Sequence, residues 1–322
     1  MTVFLVRRMI QSVIILWVMS LLVFTGVYAI GNPVDMLIDP QSSQEVRETA
    51  IRNLGLDRPL WVQYIVFLKG AVRGNLGNSF IYNMPALKLI TQRLPATLEL
   101  ATSAMMIAIF VGLPLGIVAG LKSKSAIGRG IMTCSILGFS LPNFWVGLMF
   151  VMIFSITLGW LPTSGRGETV EIFGIGISFL TIDGLKHLIL PALTLSLFPL
   201  ALIIRLTKAG VEETWLSEFV KFARSKGLTM NRIILVHILK NILIPVVTVT
   251  GIQFGMLLAF AVVTETVFAW PGMGKLIIDS INYLDRPVIV AYLLVTVIIF
   301  IIINLIVDTL YSVLDPRVGI GE

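Results

Sequence analysis

The sequence predicts an all-α integral membrane protein with six transmembrane helices and a helical insertion on the outer face after the first of them. Three observations predict it. Of 322 residues, 57% are hydrophobic and 13% charged, with a mean hydropathy of +0.95; a soluble domain is closer to half apolar and a quarter charged. Six stretches are long and apolar enough to cross a hydrocarbon core, which takes about 20 helical residues. Basic residues crowd alternate connections between those stretches, as expected of a chain oriented by its Lys and Arg. A soluble enzyme of this size, a disordered chain and a coiled coil are excluded.

The six stretches are residues 9–30, 96–121, 131–158, 187–206, 242–264 and 288–311. The first follows Arg7 and Arg8, as a signal peptide would. Its apolar run is too long for one, and Gly26-Val27-Tyr28-Ala29 is a poor cleavage site, so it reads as an uncleaved anchor. Arg7 and Arg8, then Lys122, Lys124 and Arg129, then Lys208, Lys221, Arg224, Lys226, Arg232 and Lys240 fall on one side of the membrane. That side is expected to be cytoplasmic, with both termini. The opposite short loops carry only Arg166 and Lys186, and Lys275 and Arg286. The organisation follows: a tail and first span (1–30), an outer helical loop domain (31–95), a five-helix core (96–311) and a cytoplasmic tail (312–322).

The outer segment carries helix punctuation. Ser42 with Glu45 fits a capping box and Gly55 a helix end. Pro59 suits the first turn of a second helix over 60–69, with Trp61, Tyr64 and Phe67. Pro85 opens a third, before Pro95 breaks the chain. The alternative is a loosely structured connector.

The segment 207–240 carries a short amphipathic helix within 215–227. Ser217 is its N-cap candidate, followed by Glu218. Phe219, Phe222 and Ala223 share one face, and Lys221, Arg224 and Ser225 lie on others. Lys226 suits the last turn, and Gly227 ends the helix in a left-handed conformation ahead of Leu228. Such a helix lies on the membrane surface or docks in a groove of a soluble partner.

Much of the remaining signal is absence. One cysteine, Cys134, supports neither a disulfide framework nor a Cys-based zinc site, and His187 and His237 are the only histidines. No catalytic or metal-ligating set is visible. No Gly-rich loop leads into Lys and Ser/Thr, so there is no phosphate cradle. Gly138-Phe139-Ser140-Leu141-Pro142 lacks the second glycine of a nucleophile elbow. Leu161-Pro162-Thr163-Ser164-Gly165 reads as an outer turn. Glu99 lies near the outer end of the second span. Asp308 lies near the inner end of the sixth, one turn from Asn304, and the two read as an interhelical polar contact rather than a substrate site. The span interiors otherwise lack the ionisable groups on which ion-coupled pumps and proton relays run. His237 reads as a packing or capping side chain. Pro142, Pro191, Pro199 and Pro245 interrupt or start spans, giving bent helices.

The stretch from Phe219 to Leu228, followed by His237, Asn241 and Pro245, resembles the coupling-loop signature of ABC importer permeases, closest to the oligopeptide/dipeptide/nickel subfamily. Further matches are Gly55-Leu56-Asp57-Arg58-Pro59-Leu60, Leu188-Ile189-Leu190-Pro191-Ala192-Leu193-Thr194-Leu195, and Glu265-Thr266-Val267-Phe268-Ala269-Trp270-Pro271-Gly272-Met273-Gly274; Asp315-Pro316-Arg317 also fits. The resemblance covers essentially the whole chain and is to the first of two permease subunits. One departure stands out: where the general motif has Glu and Ala, this chain has Lys221 and Phe222, while Ala223 matches.

The resemblance implies a type I ABC importer permease fold in a bacterial inner membrane, with no enzymatic role and no nucleic-acid partner. It implies a second homologous permease, two ATPase subunits that hold ATP and Mg, each taking a coupling helix in a surface cleft, and a periplasmic or lipid-anchored substrate-binding protein. Ser217, Glu218, Phe219, Phe222, Ala223, Arg224, Lys226, Gly227 and Leu228 are the expected coupling residues. His237, Asn241, Pro245, Glu265, Phe268, Trp270, Pro271, Gly272, Gly274, Asn304 and Asp308 are gate or structural candidates. Di- or oligopeptide is the expected substrate. Nickel, glutathione or another small solute is the alternative, and an ion-coupled secondary carrier a more distant one.

Overall fold

A computed structural model describes residues 2–29, 43–53 and 55–314. Ser42 of the expected capping box and the motif Asp315-Pro316-Arg317 lie outside the described residues. The helices are α1 (Thr2–Ala29), α2 (Gln44–Asn53), α3 (Leu60–Val72), α4 (Ala86–Leu121), α5 (Ala126–Ser140), α6 (Asn143–Phe150), α7 (Ile182–Trp215), α8 (Glu218–Ser225), α9 (Leu239–Val267), α10 (Met273–Asn282) and α11 (Arg286–Leu314). A π-helical stretch, Val151–Thr157, continues α6, and a helical turn Met230–Arg232 with a second π-helical stretch, Ile233–Ile238, leads into α9.

Five helical segments are long and apolar enough to span a membrane: Arg7–Gly26, Ala86–Leu121, Ile182–Trp215, Met230–Val267 and Arg286–Thr309. The expected third span is broken: α5 and the α6 segment meet at 104°, and count as a sixth span if taken together. The cause is local. Leu141 (φ −88°, ψ 137°) precedes a proline, and Pro142 itself takes φ −60° and ψ 129°. A residue before proline is pushed out of the helical region by the ring, and here two extended residues in succession turn the chain.

Three further expectations need correction. Pro95 does not break the chain, and the third outer helix is instead the first turns of α4. A proline costs a helix one hydrogen bond and a local kink, which a 36-residue helix with Ala96 and Thr97 packed at 1% exposure absorbs. The outer loop before α7 is not all coil. It holds a hairpin of β1 (Val170–Ile172) and β2 (Ile175–Ile177), paired antiparallel. Phe173 (φ 52°) and Gly174 (φ 76°) form its two-residue turn, the left-handed pair that matches strand twist. Ionisable groups also occur inside the helices: Arg205, within the expected fourth span, is exposed on α7, and Glu265, one residue past the expected fifth span, is fully buried in α9.

The chain divides into two compact units. The first contains residues 1–96 and 271–301. Within it α1 packs on α3 through Phe24, 5.3 Å from the Tyr64 ring and 5.8 Å from Phe67, and Ser20 Oγ shares a hydrogen bond of 2.9 Å with Tyr64 Oη. Helix α2 ends at Gly55 (φ 65°) as expected, with Leu56 N–H donating back to Ile51. Ahead of α11, Ser79 Oγ donates to buried Asp285, whose other oxygen accepts the Phe80 N–H at 3.2 Å.

The second unit contains residues 97–270 and 302–322. Its core is a seam between α4 and α7. A Cβ added to Gly116 would stand 2.5 Å from Thr207 Cβ, one on Gly120 2.6 Å from Val211 Cβ, and one on Gly112 2.9 Å from Ile203 Cγ2. The three glycines recur every four residues and so face one way. Between lipid-facing helices, packing rather than water exclusion drives association, and small residues admit that packing. Gly251 of α9 is closed in the same way by Val307 of α11.

Gly116→Val should cost about 1–3 kcal/mol or more by overpacking, read as a lower melting temperature in detergent. Gly130→Ala should be neutral or slightly stabilising, because Gly130 sits in a helix with nothing within 4 Å of its Cβ position and alanine is the better helix former.

Candidate functional site

Helix α8 is narrower than the expected 215–227 because α7 runs on to Trp215 and turns at Leu216 and Ser217. Ser217 occupies the N-cap position (φ −67°, ψ 151°), but its hydroxyl donates to Thr214 O at 2.6 Å and makes no cap bond. The C-terminus follows the expectation. Gly227 takes φ 75°, its N–H donates to Arg224 O at 2.9 Å and Leu228 N–H donates to Ala223 O at 3.3 Å. This pair of bonds around a left-handed glycine satisfies the last carbonyls and stops the helix.

The faces of α8 are not as expected. The buried pair is Val220 (0%) and Ala223 (4%), one turn apart, whereas Phe219 and Phe222 are 45% and 61% exposed. The expected shared face of Phe219, Phe222 and Ala223 is therefore split: Ala223 joins Val220 against the rest of the chain, while the two rings stay exposed. Val220 was missed; its i, i+3 relation to Ala223 was the available signal. Arg224 stacks 3.5 Å over the Trp215 ring and ties α8 back to α7, a guanidinium–indole contact. Lys226 Nζ lies 4.5 Å over the Phe222 ring. Glu218 and Lys221 pair at 2.8 Å but are largely exposed, so the pair adds little.

Beyond α8, the His237 carbonyl accepts from Asn241 Nδ2 at 2.6 Å, and half-buried His237 lies in the π-helical stretch. Pro245 lies inside α9 and is exposed. Asn304 and Asp308 are half-buried on α11, one turn apart.

The far ends of α4 and α9 carry a buried polar clasp. Glu265 is fully buried and accepts from Thr97 Oγ1 at 2.6 Å. Helix α9 ends through Ala269 (φ 47°), with Trp270 N–H donating to Glu265 O at 2.8 Å. That turn buries Phe268 (2%) and Trp270 (0%), and Phe268 O accepts the Gly165 N–H at 2.8 Å. Arg166 lies 5.8 Å from the Trp270 ring. Its Nε and Nη2 both donate to Glu99 Oε2, at 2.9 and 2.6 Å, and Nη2 also donates to Gly176 O at 2.5 Å. Glu99 Oε1 accepts the N–H groups of Ser178 and Phe179 at 2.7 and 3.0 Å. A buried ion pair is tolerable when its lone pairs and protons are satisfied in this way. Glu265 was legible as a candidate and Glu99 as a charge near the outer end of its span, whereas Arg166 counted only toward topology, since nothing in sequence pairs positions 67 apart. In the first unit Gly272 caps α10, where Met273 and Gly274 are buried and Pro271 half-buried.

Residues 112–320 match the family model for the binding-protein-dependent transport system inner membrane component, and residues 1–101 match the N-terminal model of the same systems. The chain is 40% identical over 333 residues to the di/tripeptide transport system permease protein DppB of Pseudomonas aeruginosa (strain UCBPP-PA14), covering 98% of each. It is 35% identical over 316 residues to the glutathione transport system permease protein GsiC of Escherichia coli O6:H1, again with 98% of each covered. Its fold is similar to a chain in a solved structure of the MetNI methionine ABC transporter in inward-facing conformations, with a TM-score of 0.56 at 15% identity over 70% of this chain and 96% of that one.

Arg166→Met should destabilise the second unit by about 3 kcal/mol or more, because it leaves the Glu99 charge buried without its partner. Arg166→Met with Glu99→Leu should recover part of that loss. Thermal melting and protease sensitivity of residues 160–181 report both.

Proposed function

The chain belongs to the family of binding-protein-dependent transport system inner membrane components, an ABC importer permease family, and on that premise we propose that it is a peptide permease subunit driven through α8. It is an integral membrane protein of the inner membrane. Its family works with ATPase and substrate-binding partners. The finer reading assigns it one half of the translocation pathway, a second homologous permease as the other half, two ATPase subunits beneath, and a periplasmic or lipid-anchored binding protein above. Both termini are cytoplasmic in this reading, following the Lys and Arg placement. The chain itself hydrolyses nothing and holds no cofactor; ATP and Mg sit on the ATPases.

The observation that carries the proposal is the exposed Phe219 and Phe222 pair on a helix otherwise clamped to its own chain. Aromatic side chains in that position gain most from a hydrophobic cleft on a partner. Val220, Ala223 and the Arg224–Trp215 stack hold the lever to α7, so a cleft that moves the two rings moves the span. Lys221 is exposed and pairs with Glu218. It stands where the general motif has Glu, so the rings, not the residue at that position, are the groups assigned to the ATPase.

The peptide substrate rests on the di/tripeptide permease relative, 40% identical. Glutathione, itself a short peptide, is the second reading and rests on the 35% identical glutathione permease.

Phe219→Ser with Phe222→Ser should leave the membrane protein folded, since neither ring packs inside it. It should cut ATPase co-purification and peptide-stimulated hydrolysis at least tenfold, the loss of two hot-spot side chains. Pull-down and ATPase assay of the purified complex measure this; unchanged coupling would contradict the lever. Gly227→Val, strained at φ 75° but unobstructed by neighbours, should weaken coupling less than the double serine variant.

A further inference from the structure

Resting on the permease reading, we propose that the groove bounded by α6, α7 and α9 is this chain's share of the peptide path, with Asn143 and Gln253 reading the peptide backbone. The groove has a volume of about 420 Å³ and lies wholly in the second unit. Phe144, Phe198, Met256 and Phe260 form its walls.

Both amides lie well inside apolar spans, away from their ends. Gln253 is at the midpoint of α9. Asn143 stands at the break where α5 and α6 meet at 104°. Both are half-buried, and among the described residues neither side chain has a hydrogen-bond partner. A primary amide left in hydrocarbon without a partner is heavily penalised, so polar side chains at this depth face a water-filled path or a polar partner rather than acyl chains. An acyl chain offers these groups nothing.

The chemistry selects the occupant. Each primary amide offers donors and an acceptor, the complement of a peptide bond's own C=O and N–H. No charged residue lines the groove, so nothing in it sorts peptides by side-chain charge. Phenylalanine and methionine walls adapt to varied apolar shapes. The volume falls in the range of small-ligand sites. Short peptides read by backbone, with side chains tolerated, fit this combination better than a metal chelate, for which the groove offers no charge. The break at Leu141-Pro142 is what exposes Asn143 here; an unbroken third span would have carried it past as an ordinary lipid-facing position.

The test uses the full complex, with its second permease, ATPases and binding protein, in proteoliposomes, with a tripeptide and the same tripeptide methylated at a backbone nitrogen. Asn143→Leu with Gln253→Met should lower uptake of the unmodified tripeptide roughly tenfold, about the effect of one lost hydrogen-bonding group or more, with assembly and basal ATP hydrolysis within twofold of wild type. The methylated peptide should be taken up more slowly than the unmodified one by wild type, and at the same rate as it by the double variant. A photo-crosslinking residue at Phe260, in an otherwise wild-type chain, should capture the tripeptide during turnover. This second arm reads the assignment even if the double variant fails to assemble. Wild-type uptake by the double variant, or capture of only lipid or only the second permease at position 260, overturns the groove assignment. Absence of any ATP-dependent tripeptide uptake by the wild-type complex overturns instead the permease reading on which it rests.

Discussion

The close approach of α4 and α7 is the constraint on which the second unit depends. Gly112, Gly116 and Gly120 face Ile203, Thr207 and Val211 at distances that no added Cβ tolerates. Inside a membrane this contact cannot draw on water exclusion, so it must be tight to hold at all. Both helices extend well beyond it. At one end α4 presents Thr97 and Glu99 to the clasp; at the other, α7 runs out to Trp215 and the lever. A single seam therefore fixes the relation between the buried polar cluster and the short helix offered to a partner.

The lever is built with the same division of labour. Small side chains, Val220 and Ala223, take the space against the chain, and a flat cation–π stack between Arg224 and Trp215 sets its angle. The large rings are left outside. An amphipathic helix whose bulkiest apolar residues point away from its own protein is arranged for a surface it does not itself contain. In the proposed function that arrangement gives energy from outside the chain a route into the spans, in a polypeptide whose sequence offers no phosphate cradle of its own.

The spans, their order and the left-handed ends at Gly55 and Gly227 were legible in the sequence, because they rest on local hydropathy and backbone chemistry. The ten extra residues at the start of α4 were not, because Pro95 reads as a stop when the packing of Ala96 and Thr97 is unseen. The hairpin was hidden in a short loop, although Ile172-Phe173-Gly174-Ile175 carries its turn. The pairing of Glu99 with Arg166 joins residues far apart in sequence, and no periodicity reports such a contact. On α8, Ala223 was grouped with Phe219 and Phe222 because a helical wheel assigns faces by polarity alone, while burial pairs it with Val220. Asn143 gained its meaning only from the bend, where two extended residues at Leu141 and Pro142 break the expected third span and place Asn143 on the wall of a groove.

The central claim is that α8 and α7 move as one body when the ATPases close. Spin labels can be placed at Lys186→Cys near the start of α7 and Lys221→Cys on α8, in a Cys134→Ala background; the α7 stretch from Lys186 to Trp215 spans about 44 Å at 1.5 Å per residue. Their separation can be measured by double electron–electron resonance in the assembled complex, with and without ATP. The account predicts a distance unchanged to within about 2 Å, because less than half a helical pitch of play is compatible with the packed seam. A change of a full turn or more between the two states would mean that the short helix swings independently of the span, and would contradict the account.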